Sequence, residues 1–103
     1  MVKKIKNNDF SEITSAKIAL IDFSATWCGP CKMLAPVLEE VSEELKDQVQ
    51  FFNADCDENY KLAMDMKVTN IPALQIYKDG IKVAQTVGFM PKEALKNWIT
   101  EQI

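Results

Sequence analysis

The chain has 103 residues, 48% of them hydrophobic and 26% charged, and a formal net charge of −3. That length predicts one domain, residues 1–103, large enough to fold without a metal or a disulfide scaffold. All 12 basic residues are lysine, so Ser-His-Asp sites, Cys-His sites and histidine-ligated zinc are excluded, and the acidic balance argues against a nucleic-acid partner.

The N-terminus is basic, but the longest early apolar run is only Ile18–Ile21. A secretory signal needs an apolar stretch of about 7–15 residues, and a membrane-spanning helix needs about 20. We therefore expect no secretory signal, no membrane span and a cytoplasmic location, where a C-x-x-C pair is more often catalytic or metal-binding than structural.

Sequence patterns in the first half of the chain predict two strands and two helices. A short strand is possible over Val2–Ile5, and Asp9-x-x-Glu12 has the spacing of a capping box for a helix over residues 9–16. Residues 17–24 form a nearly continuous apolar run, typical of a strand buried on both faces. An amphipathic helix follows from Cys31 to Lys46, with a predicted bend at Pro36. Its apolar stripe comprises Leu34, Val37, Leu38, Val41 and Leu45.

The second half predicts a strand over residues 49–54 and a weak helix over 59–67. Asp79-Gly80 between the apolar runs 73–77 and 81–87 is a strong hairpin signal. Pro91 is expected at the first position of a closing helix. This order predicts an α/β fold whose mixed sheet of four to five strands is flanked by about four helices.

The segment Trp27-Cys28-Gly29-Pro30-Cys31 lies where the buried strand gives way to the long helix. A helix N-terminus favours a thiolate, the nucleophile of thiol–disulfide exchange, and Lys32 adds a nearby cation. Cysteines three residues apart on a helix need only a small adjustment to form a disulfide. Gly29 is expected to permit a tight turn, and Pro30 supplies a helical φ angle.

Two other interpretations of the C-x-x-C pair are weaker, and one of them, two inert core cysteines, fits poorly with Gly-Pro between them. Half of a zinc site is unsupported, because only Cys56 remains as a further ligand. Cys56 itself is expected to be a spectator thiol, with regulatory oxidation as the minority interpretation. The adjacent acidic segment resembles an EF-hand start, but Tyr60 and Met66 occupy positions that require Gly and Glu, so we reject calcium.

Over nearly its whole length the chain resembles the thioredoxin family, through the WCGPC motif, Asp22-Phe23, Pro36, Ile71-Pro72, Asp79-Gly80 and Gly88. The resemblance implies a thioredoxin fold and a protein-disulfide reductase. Cys28 is then the nucleophile, Cys31 the resolving cysteine, and Gly29 and Pro30 the residues that tune the Cys28–Cys31 redox disulfide. No bound cofactor or metal is expected. A flavoprotein thioredoxin reductase, dependent on NADPH or ferredoxin, would recycle the chain after it reduces disulfide-containing target proteins. A monomer is expected.

Asp22 interrupts a strand that should be buried, and burial raises the pKa of a carboxyl group. The resemblance implies that Asp22 deprotonates Cys31; the alternative is an aspartate that reaches solvent at the strand end. Family members often carry Trp where Ser24 stands and a lysine where Asn53 stands. Without that cation, we expect the pKa of Asp22 to be raised at least as much as in relatives that keep it.

The resemblance also predicts a cis Ile71–Pro72 peptide bond facing the cysteines. Trp27, Ile71, Pro72, Gly88 and Phe89 would then form an apolar rim for substrates, with Ile71 pairing to an extended segment of the target. For Trp27 the alternative is ordinary core packing.

Two further functions use the same fold. A disulfide isomerase or oxidase would differ in redox poise. A non-catalytic binding subunit would keep its biological role after both cysteines of the pair are replaced by serine.

Overall fold

Five strands and four helices make up the computed structural model, which describes residues 1–103. The strands are β1 (Val2–Lys4), β2 (Ile18–Ser24), β3 (Gln50–Asp55), β4 (Ala73–Lys78) and β5 (Ile81–Val87). The helices are α1 (Ser11–Ser15), α2 (Gly29–Glu44), α3 (Tyr60–Asp65) and α4 (Lys92–Gln102). No helix combines the length and the apolar character needed to cross a bilayer.

The strands form one mixed sheet in the order β1-β3-β2-β4-β5. β1 and β2 both pair with β3 in parallel, whereas β4 is antiparallel to β2 and β5 is antiparallel to β4. The predicted mixed sheet flanked by four helices is therefore confirmed. Because β2 and β3 run in parallel, their carboxyl ends meet at one edge, and the loop into α2 leaves from that edge.

β2 is the centre of the core, as its apolar sequence predicts. Residues 19–23 are all buried, and successive side chains alternate between two apolar clusters. Ile21 and Phe23 pack on the side of α1 and α3, whereas Leu20 packs with α2 and α4. Burying one such side chain contributes about 1.5–3 kcal/mol. With a period of two, Asp22 shares the α2 face with Leu20.

Helix α2 begins at Gly29 rather than at the predicted Cys31, and it ends at Glu44 rather than at Lys46. The early start has a physical reason, since the fixed φ of Pro30 fits the first turn, where a missing N–H costs no hydrogen bond. Four of the five stripe residues are buried, and Val37 is half-buried. The helix continues through Pro36; the bend there stays a prediction.

The predicted caps of two helices are wrong in detail. α1 starts at Ser11 after Phe10, and Asp9 Oδ1 accepts a hydrogen bond from Ser11 N at 3.0 Å. Glu12 does not complete a capping box, because its carboxylate binds Lys3 Nζ at 2.7 Å. Pro91 is the extended residue before α4, with ψ of 163°, rather than its first helical residue.

The β4–β5 hairpin is confirmed. Its two central residues, Asp79 and Gly80, have φ angles of 50° and 82°. Positive φ at both positions defines the two-residue turn that matches the twist of the strands, which is why Asp-Gly predicts it. The hairpin places β5 at one edge of the sheet and brings Gly88 back to the start of β4.

Candidate active site

Cys28 and Cys31 form a disulfide at the N-terminus of α2, with their Cα atoms 5.3 Å apart. Cys28 is the N-cap of the helix, and its Sγ accepts a hydrogen bond from Cys31 N at 3.3 Å. Both cysteines are buried, at 7% and 4% exposure. The helix start therefore presents an N–H group and partial positive charge to the Cys28 sulfur, an arrangement that stabilises a thiolate.

Gly29 does not serve the tight turn expected from the sequence. It is the first residue of α2, and its φ angle is not positive. A Cβ atom built on Gly29 would meet nothing within 4 Å. The chain leaves β2 through residues 25–28 and needs no special conformation at residue 29.

Asp22 is buried at 2% exposure, which rules out the alternative of an aspartate that reaches solvent. Burial raises the pKa of Asp22 to about 6, and a hydrogen bond from Asn53 acts in the opposite direction. Asn53 lies directly opposite Asp22 in the β2–β3 register, and its Nδ2 donates to Asp22 Oδ2 at 3.2 Å. Asp22 Oδ1 accepts no hydrogen bond. A carboxyl with this pKa exchanges its proton readily at physiological pH.

A cleft of about 400 Å³ connects Asp22 with Cys31. Its walls come from β1, the ends of β2 and β3, the loop after β2, and α2 as far as Glu39. The lining residues are Val2, Lys4, Asp22, Ser24, Ala25, Thr26, Cys31, Lys32, Ala35, Leu38, Glu39, Asn53 and Asp55. None of the predicted rim residues lines this cleft, so the approach to Asp22 and the predicted rim are separate surfaces.

Trp27 is 71% exposed, so the core-packing interpretation is wrong. Its Nε1 donates a hydrogen bond to Asp57 Oδ2 at 3.1 Å. This bond fixes the orientation of the indole of Trp27, the residue before Cys28, while leaving most of the ring in solvent. An exposed aromatic ring held in one orientation suits the binding of a partner protein.

The Ile71–Pro72 peptide bond is cis, as predicted. Ile71 is half-buried and packs against Ala25, Cys28 and Cys31, which places it at the disulfide. Gly88 N donates to Pro72 O at 2.8 Å, with Gly88 at a φ of 104°. Phe89 follows with 38% of its surface exposed. The structure thus brings the Gly88-Phe89 segment next to Pro72, which is itself buried, and places Ile71 against the cysteines.

Cys56 takes no part in the disulfide. It is half-buried, and burial together with the negative charges of Asp55 and Asp57 raises the pKa of its thiol. A raised pKa disfavours the reactive thiolate. No group of three His, Cys, Asp or Glu side chains is placed to hold a metal ion.

The thioredoxin family model matches residues 1–101. The chain belongs to the thioredoxin family. It is 44% identical to thioredoxin from Bacillus subtilis (strain 168) over 102 residues, which cover 99% of this chain and 98% of the relative. It is also 44% identical to thioredoxin from Staphylococcus aureus (strain Mu50 / ATCC 700699) over 94 residues, 91% of this chain and 90% of the relative.

Two solved structures are similar to this thioredoxin-family chain. One is thioredoxin from Malassezia sympodialis, with a TM-score of 0.88, 35% identity, and coverage of 99% of this chain and 90% of that one. The other is chloroplastic thioredoxin z, with a TM-score of 0.82, 30% identity, and coverage of 97% and 92%. The thioredoxin fold is therefore confirmed.

Family membership together with the Cys28–Cys31 pair makes this chain a thiol–disulfide oxidoreductase that reduces protein disulfides. The redox-active disulfide is its reacting group, and the chemistry uses no external cofactor. Its partners are a reductase and disulfide-containing target proteins.

The sequence analysis does not predict the bond between Trp27 and Asp57. Asp57 belongs to the acidic segment that resembles the start of an EF-hand loop, and nothing in that pattern indicates a bond to Trp27. A usable signal was present, because Asp57 follows β3 and Trp27 follows the neighbouring parallel strand β2. Residues just beyond the carboxyl ends of adjacent parallel strands lie close together.

Proposed function

We propose that Cys28 is the nucleophile and Cys31 the resolving cysteine. The observation that carries this assignment is the hydrogen bond from Cys31 N to Cys28 Sγ at the N-cap of α2. After reduction, the Cys28 thiolate attacks a disulfide of the target, and one target sulfur leaves as a thiolate. The Cys31 thiolate then attacks Cys28, the mixed disulfide breaks, and the target leaves fully reduced.

We assign to Asp22 the removal of the Cys31 proton. The two residues line the same cleft, and burial places the pKa of Asp22 at about 6. No hydrogen bond joins the two side chains, and the cleft that both of them line has a volume of about 400 Å³. One water molecule occupies about 30 Å³ in the liquid, so the cleft is large enough to hold water. A water-relayed proton transfer is consistent with this placement.

The target-binding rim comprises Trp27, Ile71, Pro72, Gly88 and Phe89 in this proposal. Support comes from the exposure of Trp27 and Phe89 and from the packing of Ile71 against the cysteines. An extended target segment would pair with the Ile71 backbone, in the manner of strand addition. Gly29 and Pro30 would tune the reduction potential through the first turn of α2.

The remaining expectations concern the setting in which the chain works. We propose that residues 1–103 act as one monomeric domain in the cytoplasm, recycled by a flavoprotein thioredoxin reductase that uses NADPH or ferredoxin. The free thiol of Cys56 is consistent with a reducing compartment. An assay with each of the two reductase types would identify the electron source.

The decisive test is insulin reduction with a coupled thioredoxin reductase, using Cys28→Ser, Cys31→Ser and, as a matched control, Cys56→Ser. We expect Cys28→Ser to be inactive, Cys31→Ser to accumulate a mixed disulfide with the target, and Cys56→Ser to keep wild-type activity. Retained activity in Cys28→Ser would contradict the assignment. A Cys28–Cys31 reduction potential of about −120 mV, typical of strong oxidants, would instead favour the oxidase function.

A further inference from the structure

The side-chain amide of Asn53 donates hydrogen bonds to three acceptors on Asp22 and Ser24. Its Nδ2 donates to Asp22 Oδ2 at 3.2 Å, to the backbone oxygen of Asp22 at 3.1 Å and to Ser24 Oγ at 2.9 Å. Two of these acceptors belong to Asp22 itself. The amide is therefore fixed relative to the strand that carries the carboxyl group, and it cannot turn away without losing several hydrogen bonds.

This contact makes the two oxygens of the Asp22 carboxyl group inequivalent. Oδ2 accepts the amide hydrogen bond, whereas Oδ1 accepts none, although the residue is only 2% exposed. A proton on Oδ2 would compete with the N–H group that already points at that oxygen. Protonation at Oδ1 leaves the amide bond intact and is therefore favoured.

None of the charged groups that line the cleft makes a direct contact with the Asp22 carboxylate like that of the Asn53 amide. Lys4 on β1, Lys32 and Glu39 on α2, and Asp55 on β3 line the same cleft, so two positive and two negative charges face it. The thiol of Cys56 also senses the charge of Asp22, and the Cys31 thiol lines the cleft. With the formal charges balanced, the Asn53 amide is the group that contacts the carboxylate directly.

We propose that Asn53 is a positioning residue that holds Asp22 Oδ2 and thereby makes Oδ1 the atom that receives the Cys31 proton. This inference rests on the role proposed above for Asp22. In the step concerned, the Cys31 S–H bond breaks, water takes up that proton and gives one of its own to Asp22, and an Oδ1–H bond forms. The Cys31 thiolate then bonds to Cys28 Sγ, and the target sulfur leaves with the electron pair of the broken mixed disulfide.

Two substitutions at Asn53 predict opposite results. Asn53→Leu removes the donor while nearly keeping the volume, so the carboxylate loses its one hydrogen bond and the pKa of Asp22 rises by about one unit. Asn53→Lys places an ammonium group beside the carboxylate, so the pKa of Asp22 falls. Ser24→Ala removes an anchor of the amide without touching the carboxylate, and its effect should be smaller than that of Asn53→Leu.

The measurement combines an NMR titration of the Asp22 carboxyl carbon with the pH dependence of mixed-disulfide resolution. Each variant is loaded with a target peptide on Cys28, and release of the peptide is followed from about pH 4 to about pH 8, limits that lie two units on either side of the expected midpoint. Release should slow below the pKa of Asp22, and we call this part of the pH profile the acid limb. In Asn53→Leu the acid limb should move to higher pH together with the pKa measured by NMR, which slows release about tenfold at the acidic end. In Asn53→Lys it should move downward. A purely structural role for Asn53 would change stability without shifting this limb.

Asp22→Asn separates failure of this inference from failure of the function on which it rests. If Asp22→Asn leaves the acid limb unchanged, the proposed role of Asp22 is wrong. If Asp22→Asn abolishes the limb but the two Asn53 variants leave it within about 0.3 units of wild type, or move it in the same direction, the positioning role of Asn53 is wrong. If Asn53→Leu does not fold, the Asn53→Lys and Ser24→Ala titrations decide.

Discussion

Asp22 is a carboxyl group held within a fully buried strand, and this position has an energetic cost. Burial raises the pKa of Asp22 from its ordinary value of 3.8 to about 6. The folded protein therefore binds this proton more tightly than the unfolded chain does. The associated stability is fully present below pH 3.8 and is lost as the pH rises through about 6. The full loss is roughly 3 kcal/mol, at about 1.36 kcal/mol per pKa unit.

Asp22→Asn should consequently stabilise the oxidised protein at alkaline pH, because the neutral amide has no charge to desolvate. We expect the free energy of unfolding to rise by about 2–3 kcal/mol at pH 8 and to change little at pH 3.5. Urea denaturation at the two pH values measures the difference. An equal gain at both would mean that the charge of Asp22 is not the destabilising factor.

Two glycines near the disulfide should respond differently to alanine. Gly88 has a φ of 104°, which strains any residue with a Cβ, whereas Gly29 has a helical position and open space. Gly88→Ala should lower the free energy of unfolding by about 1–3 kcal/mol. It should also weaken target reduction, because Gly88 N holds Pro72 O.

Gly29→Ala is the matched control, measured by the same denaturation and insulin assays. Its free energy of unfolding should stay within about 0.5 kcal/mol of wild type or increase slightly, because alanine favours a helix. Equal losses in the two variants would contradict the assigned difference in backbone conformation.

Helix α2 links the core to the chemistry. One end carries the disulfide, and its apolar stripe packs against β2 and α4. Leu38 belongs to both parts, since it is 1% exposed and also lines the cleft that reaches Asp22. A change in the packing of this helix therefore affects both the free energy of unfolding and proton transfer at Asp22.

Leu38→Ala should lower the free energy of unfolding by about 2–5 kcal/mol, because it leaves a cavity between α2 and β2. The enlarged cleft should also admit more water, so the pKa of Asp22 should move back toward its ordinary value. Val37→Ala on the half-buried side of the helix is the control. It should cost less and leave the Asp22 titration where it is, as denaturation and NMR would show.

Local sequence patterns predicted most elements because each signal lies within a few residues. Asp79-Gly80 specified the hairpin turn, and the α2 stripe identified the face of the helix that is buried. The start of α2 was missed because Gly29-Pro30 is typical both of a turn and of a first helical turn. Bonds such as Asn53 to Asp22 and Trp27 to Asp57 join residues about thirty positions apart. Such contacts depend on strand register, which local propensity does not determine.

At the scale of the whole molecule, the two edges of the sheet differ. β1 is short, and its exposed residues are Lys3 and Lys4. β5 exposes Ile81, Val83 and Val87 and has no strand on its outer side. Within residues 81–87 the single charge is Lys82. A charged lysine on an edge strand opposes pairing with a second copy of the chain.

Lys82→Val would remove that charge and leave an uncharged, β-favouring edge. We expect this variant to self-associate at high protein concentration, as measured by size-exclusion chromatography with light scattering. Lys46→Val changes the net charge equally, but at an exposed position just beyond α2, so it should stay in the state of the wild type. Association of both variants would point to net charge rather than to the strand edge.

The absence of histidine gives the burial of Asp22 a practical consequence. Among side chains whose pKa is shifted in the oxidised protein, Asp22 alone moves into the interval between pH 5 and 8. Because the chain contains no histidine, no imidazole titration overlaps that of Asp22 in this interval. An NMR titration of the Asp22 carboxyl carbon, with Asp22→Asn as the control, could then follow this proton, and the same titration on target-loaded protein would show whether docking changes its occupancy.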